Sequence, residues 1–297
     1  MKRAALFLVF FVILGAALGS LYYVQRNEKR TRVSANAVIE MAADAQRDLS
    51  RAPMHLSRLS DDEEIAIGRE LSVEYNYQIE SLSPDERVLS SYLDRVGRSV
   101  ASHARRNLPY SFHLIPDHNL INAFSLPGGP VYVGEGILDQ MKTEDELANL
   151  LAHEVEHIDH YHCIERVQIE ANLKHFNLEI LGDVLKLPVE LWQTGYHKDE
   201  ELEADREGMF LAVSAGYSPF GAVQLFERFS KLHDEYVTRA STPDQELSDL
   251  AVQSLTGYFR SHPLPSERLA QAQQIIAQQH WENKKETKPF RPERAVN

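Results

Sequence analysis

Residues His153-Glu154-Val155-Glu156-His157 carry the pattern H-E-x-x-H. An α-helix turns once in about 3.6 residues, so positions four apart stand almost one above the other. On a helix, His153 and His157 would aim two imidazoles at one point, as a zinc ion requires. Glu154, beside the first histidine, would reach a water held on such an ion. Two nitrogen ligands and a carboxylate base form the core of a zinc hydrolase site. A pattern with three fixed positions also arises by accident, the more so in a chain with 13 histidines. The bland alternative is a solvated helix face that happens to carry His and Glu.

The element that must hold these residues is well specified. Thr143-Glu144-Asp145-Glu146 is a capping box, with Thr143 as N-cap and Glu146 three residues on. Three acids in the first turn suit the positive end of the helix dipole. Leu147, Leu150, Leu151, Val155 and Ile158 follow at helical spacing and predict a buried stripe. A buried helix carrying two histidines and a glutamate needs partners for them, and a metal is one.

A catalytic zinc commonly takes three protein ligands and a water. Glu201-Leu202-Glu203-Ala204-Asp205 offers a carboxylate on a second helix. Glu201 and Asp205, four apart, share a face, while Glu203 points elsewhere. Glu201 would ligate the metal. Asp205 would accept a hydrogen bond from the far nitrogen of a ligand histidine and so fix its tautomer. Taken alone, Asp199 to Glu207 reads as an acidic solvated helix; beside H-E-x-x-H it reads as the source of the third ligand.

H-E-x-x-H followed by E-x-x-x-D, within Glu201 to Arg206, resembles the M48 zinc metallopeptidases of the gluzincin group, whose third ligand is glutamate. Asn122-Ala123-Phe124-Ser125-Leu126-Pro127-Gly128-Gly129 is similar to the segment before that family's active-site helix. Leu59 to Gly68 is similar to its first helix, and Ser261-His262-Pro263 with Arg268 to its downstream His-Pro element. The likeness runs from about Leu59 to Ile275. Glu156 departs from it, since the family often has glycine there.

The resemblance implies an α+β, mostly α-helical zincin-like metallopeptidase domain with a small β-sheet. It implies one Zn2+ per chain on His153, His157 and Glu201, with Glu154 as general base. His262 has three readings: a surface histidine, a donor to the oxyanion of a tetrahedral intermediate, or, as periplasmic members of the family imply, an occupant of the open zinc position in a latent state. Arg268 reads either as an electrostatic partner in the cleft or as a salt-bridge residue. Gly128 to Val133 reads as a turn and a short strand, and its early proline suits an edge. In peptidases of this kind an exposed edge pairs with an extended substrate. Gly129, Pro130, Val131, Tyr132 and Val133 are therefore the expected substrate-binding residues. His160 reads as exposed or placed behind the ligands, His197 as exposed, and the lone Cys163 as a small buried residue.

The 297 residues suffice for one catalytic domain and a membrane segment. Ala4 to Val24 is uncharged, follows Lys2 and Arg3, and is long enough to span a bilayer. Tyr22 and Tyr23 favour an anchor over a signal peptide cleaved before Ser20. Arg26, Lys29, Arg30 and Arg32 favour a cytoplasmic catalytic side; the resemblance to envelope members favours the periplasmic side, which is the expectation adopted. The formal net charge of −13 makes nucleic acid an unsuitable partner.

The expected layout is an anchor with a basic flank over 1–32, a helical linker over 33–58, a peptidase domain over 59–279 and a disordered tail over 280–297. Within the domain, helices are expected at Leu59–Gln78, Pro84–Arg106, Tyr161–Leu187, Glu200–Gly216, Ser218–Thr238 and Pro265–Gln279, and strands at Tyr110–Ile115 and Pro130–Val133. The function expected is a zinc endopeptidase acting on unfolded or misassembled envelope proteins. The competing expectation is a membrane-tethered chaperone or assembly factor that binds such proteins on the Gly129–Val133 edge without cleaving them. The intact ligand set and base argue against it.

Overall fold

A computed structural model describes residues 59–173, 196–240 and 265–292. The chain divides into residues 1–57 and 58–297, and all described residues belong to the second unit. The expected anchor and linker, the stretch 174–195 and His262 lie outside the described residues. Among the described residues no helix is long and apolar enough to cross a membrane.

The elements are α1 (Asp61–Glu80), α2 (Pro84–Ala101), β1 (Ser111–Ile115), β2 (Ala123–Ser125), β3 (Pro130–Gly134), α3 (Glu135–Leu138), α4 (Glu144–Asp159), α5 (His162–Leu173), α6 (Lys198–Ser214), α7 (Phe220–Ala240) and α8 (Pro265–Gln278). The fold is α+β: mostly helical, with one small sheet. Ser60, Ser83 and Thr143 each close a full capping box with a glutamate three residues on, and these set the starts of α1, α2 and α4.

The sheet runs β1-β3-β2, with β1 parallel and β2 antiparallel to β3. This corrects the expected edge at Gly129 to Val133. Pro130 pairs with Ser111 and Val131 with Ser125, so β3 is the middle strand, and Val131, Tyr132 and Val133 are buried. Proline is also tolerated as the first residue of a strand, which is where Pro130 stands. The unbroken apolar run behind it is the mark of a strand buried on both faces. The outer strands are β1 and β2, and β2 lies against α4.

Helix α4 occupies the centre, packed by α2, α6, α7 and β2. Leu147, Leu151, Val155 and Ile158 are wholly buried, as their spacing predicts. Its first turn is tied down from several sides. Glu146 accepts from the backbone of Lys142 at 2.6 Å and pairs with Arg228 of α7 at 2.5 Å. Asp145 accepts from the backbone N–H groups of Ser218 (2.7 Å) and Lys288 (2.5 Å).

Residues 280–292 correct the expected disordered tail. The Glu144 N–H donates to the Lys288 carbonyl at 2.7 Å, and the Phe290 N–H to that of Lys142 at 2.9 Å. The Phe290 ring stands edge-on to Tyr92, and Trp281 packs on Phe210. Two aromatic anchors in a polar stretch supply the apolar surface that its average composition hides.

Candidate metal centre

Two helices bring the site together. Gly208 of α6 faces α4 so closely that a Cβ there would stand 2.9 Å from the His153 backbone nitrogen. Only a residue without a side chain permits that approach. It lays Glu201 and Asp205 against the histidines of α4. His153 Nε2 is 3.1 Å from His157 Nε2 and 3.5 Å from Glu201 Oε2, and His157 Nε2 is 3.7 Å from Glu201 Oε1. One donor atom from each residue falls within 4.8 Å of the others. Ligand atoms about 2.0–2.1 Å from a tetrahedral zinc lie roughly 3.3 Å apart, close to the spacings here.

The charges agree with the geometry. Glu154, Glu201 and Asp205 are buried together, and Arg268 is the buried guanidinium beside them. With the histidines neutral, as metal ligation requires, three ionised carboxylates against this guanidinium would leave an excess of two negative charges. Buried charge needs compensation, and a divalent cation on the two nitrogens and one carboxylate supplies it. The donor set of two imidazoles and a carboxylate suits zinc.

Asp205 Oδ1 stands 2.9 Å from His153 Nδ1, the ring nitrogen turned away from Glu201. Arg268 donates to both Asp205 oxygens, at 2.7 and 2.5 Å, with its guanidinium over the Phe226 ring. Burial would raise the Asp205 pKa; the charge and hydrogen bonds of Arg268, with His153, outweigh it and hold the carboxyl well below the usual range. Arg268 thus meets Asp205 in the interior.

Glu154 is buried, and burial, with Glu201 adding to the effect, pushes its carboxyl up to about 7 against the opposing pull of His153 and Ser125. The Ser125 hydroxyl donates to Glu154 Oε2 at 3.0 Å. Ser125 ends β2, so the strand beside α4 sets the orientation of this carboxylate. Behind it, Cys163 Sγ lies 3.5 Å from Ser125 Oγ and 3.1 Å from the Tyr196 hydroxyl. Burial pushes the Cys163 thiol up to about 12, so it stays protonated.

Sequence reasoning passed over Ser125 as an individual residue, Tyr196 and the role of His162. Tyr196 stacks on His157 at 3.9 Å, and its backbone N–H donates to Glu201 Oε1 at 3.1 Å. An aromatic five residues before a carboxylate gives no signal of that contact. His162 Nδ1 lies 2.9 Å from His157 Nδ1. His160 instead turns to Glu156 (2.9 Å) and Arg105 (2.8 Å). His197 is exposed at the start of α6. The Asn122–Gly129 segment forms β2 and the turn after it. Gly128, at φ 76°, donates its N–H to the buried Glu64 of α1, which also binds Arg106. Residues Gly129 to Val133 are not gathered into the site; they form the turn and the middle strand.

A sequence model of peptidase family M48 matches residues 88–276. A putative beta-barrel assembly-enhancing protease of Vibrio cholerae is 28% identical over 212 residues, covering 65% of this chain and 40% of the relative. The mitochondrial metalloendopeptidase OMA1 of Schizosaccharomyces pombe is 32% identical over 178 residues, covering 54% and 49% respectively. The beta-barrel assembly-enhancing protease of Escherichia coli is 26% identical over 231 residues, covering 70% and 44%. The chain thus spans half or less of the length of these curated relatives.

Proposed function

The chain belongs to peptidase family M48, and from that premise we propose that it is a zinc-dependent endopeptidase with Glu154 as its catalytic base. The observation that supports this most is the convergence of His153, His157 and Glu201 on one point, with Glu154 on the next position of the same helix. These three residues would hold the ion. A bound zinc would lower the pKa of a water and polarise the scissile carbonyl.

The chain's own side chains do the rest. Glu154 takes the proton of the attacking water on its carboxylate and passes it to the leaving amine. Burial raises the Glu154 pKa, which makes its carboxylate a stronger proton acceptor. Ser125 fixes the carboxylate by donating to one of its oxygens. Asp205 accepts the His153 Nδ1 proton, which leaves Nε2 with a lone pair for the metal. Arg268 in turn holds Asp205 ionised and in place.

The substrates proposed are unfolded or misassembled proteins of the bacterial envelope, with residues 4–24 tethering the domain to a membrane on its periplasmic face. The names of the relatives support this: two are called beta-barrel assembly-enhancing proteases and one a mitochondrial metalloendopeptidase. The test is Glu154→Gln. Zinc content is expected to stay at one per chain, while cleavage of an unfolded protein such as casein falls by about 10²–10⁴-fold. Full activity in that variant would sink the mechanism. Stoichiometric zinc with no cleavage in the parent would favour the chaperone reading instead.

A further inference from the structure

We infer that His162 is a positioning residue of the metal site: its Nδ1 accepts the Nδ1 proton of His157, and Glu203 holds His162 in the tautomer that can do so. The inference rests on the zinc reading above.

His157 Nε2 is the atom turned to His153 and Glu201, and its Nδ1 faces away. That Nδ1 lies 2.9 Å from His162 Nδ1, a hydrogen-bond distance between two nitrogens that can share only one proton. A neutral imidazole carries one N–H and one lone pair. A His157 that turns its Nε2 lone pair to a metal keeps its proton on Nδ1 and must donate there. His162 Nδ1 is then the acceptor, and the His162 proton sits on Nε2. His162 is buried, and its Nε2 looks towards Glu203 Oε2 at 3.6 Å. A carboxylate there favours the tautomer with the proton on Nε2.

The two histidines of the site are therefore supported differently, though both supports end on carboxylates of α6. His153 meets a carboxylate directly, on Asp205. His157 meets an imidazole first and a carboxylate, Glu203, behind it. Glu203 leaves α6 on a different face from Glu201 and Asp205, which is why the E-x-x-x-D spacing assigns it nothing.

The backbone is bent to make this contact. Had α4 continued, the side chain five residues after His157 would point about 140° away from it. The helix ends at Asp159, capped by His160, and Tyr161 takes φ 66° before α5 begins at His162. A bulky residue in the left-handed region is an outlier that surrounding structure must enforce. Here the Arg106 guanidinium lies 3.8 Å over the Tyr161 ring, and the Tyr161 N–H donates to the Ile158 carbonyl. The break swings His162 back onto His157.

The experiment compares the full chain with His162→Ala, His162→Gln and Glu203→Gln. It measures zinc affinity by competition with a chromophoric chelator, and the melting temperature of each metal-free protein. His162→Ala is expected to weaken zinc about 10- to 100-fold, the usual cost of losing a partner behind a ligand. His162→Gln is expected to recover most of that loss, since its amide oxygen can accept from His157 and its NH2 can donate to Glu203. Glu203→Gln is expected to weaken zinc by at least about twofold. Parental affinity in His162→Ala overturns the inference. So does a His162→Gln variant as weak as the alanine variant with an unchanged metal-free melting temperature. Should His162→Ala not fold, Glu203→Gln at its partly exposed site decides, and unchanged affinity there overturns the inference. A parent chain that binds no zinc overturns the proposed function itself.

Discussion

Glu154 shows how one side chain takes its chemistry from contacts that its sequence position does not display. Its neighbours in sequence mark it as the proposed base; Ser125, reached only through the fold, fixes its direction. The Ser125 hydroxyl stabilises the charged form and so lowers the carboxyl pKa. Ser125→Ala removes that bond, so the Glu154 pKa should rise, and the acidic limb of the kcat/KM profile should move to higher pH. Activity on casein at neutral pH should fall about 10-fold, the worth of one hydrogen bond to a charged group, with zinc affinity unchanged. A pH profile that does not move would show that Ser125 leaves the base untouched. Glu156 engages His160 and lies 3.9 Å from Arg105. It faces away from the metal side and adds no ligand. The pairing of Asp205 with His153 was legible because four-residue spacing on a helix fixes a shared face. The His162 contact was not, because a positive-φ residue between two helices breaks the periodicity on which such reasoning depends.

Elements were legible where their ends are written in short range. The Thr143 capping box and the apolar stripe of α4 are local patterns, and they hold. Strand order is a long-range property, and the proline at the head of β3 suits an edge and a strand's first residue equally. The three-residue β2 is too short to announce itself, and the turn before it gives no periodic signal. The closeness of α6 to α4 was also hidden, since a glycine inside a helix reads as a weakness until its neighbour is known. Gly208→Ala is the test of that contact. The new methyl would meet backbone at 2.9 Å, so the helices must part. We expect a loss of about 1–3 kcal/mol in stability from overpacking, seen by denaturant melts. We also expect weaker zinc binding, because Glu201 rides on the displaced helix. A variant as stable as the parent would show that the contact relaxes freely.

At the scale of the whole molecule, the proposed metal joins α4 to α6, so it should stabilise every element packed on them. Chelation by EDTA should lower the melting temperature. With zinc at about a hundred times its Kd the bound ion contributes about 2.7 kcal/mol, and a melt indifferent to EDTA would count against a bound ion. The segment over residues 280–292 ties the same core from its other end. Asp145→Ala leaves the Ser218 and Lys288 N–H groups without their acceptor, at about 2–4 kcal/mol in all. Asp145→Asn, which keeps one oxygen, should lose less. This clasp has a consequence in time. Chains leave the ribosome from the N-terminus, so a nascent molecule presents His153, His157 and Glu201 before it possesses Lys288 or Phe290. The side chains proposed to cut peptide bonds are made first, and the strap that steadies their helix is made later. We therefore expect the protease to mature only after residues 280–292 emerge. Released chains ending at Gln279 should show little casein cleavage, and the full 297-residue chain should show it. Equal cleavage by both would sink the idea.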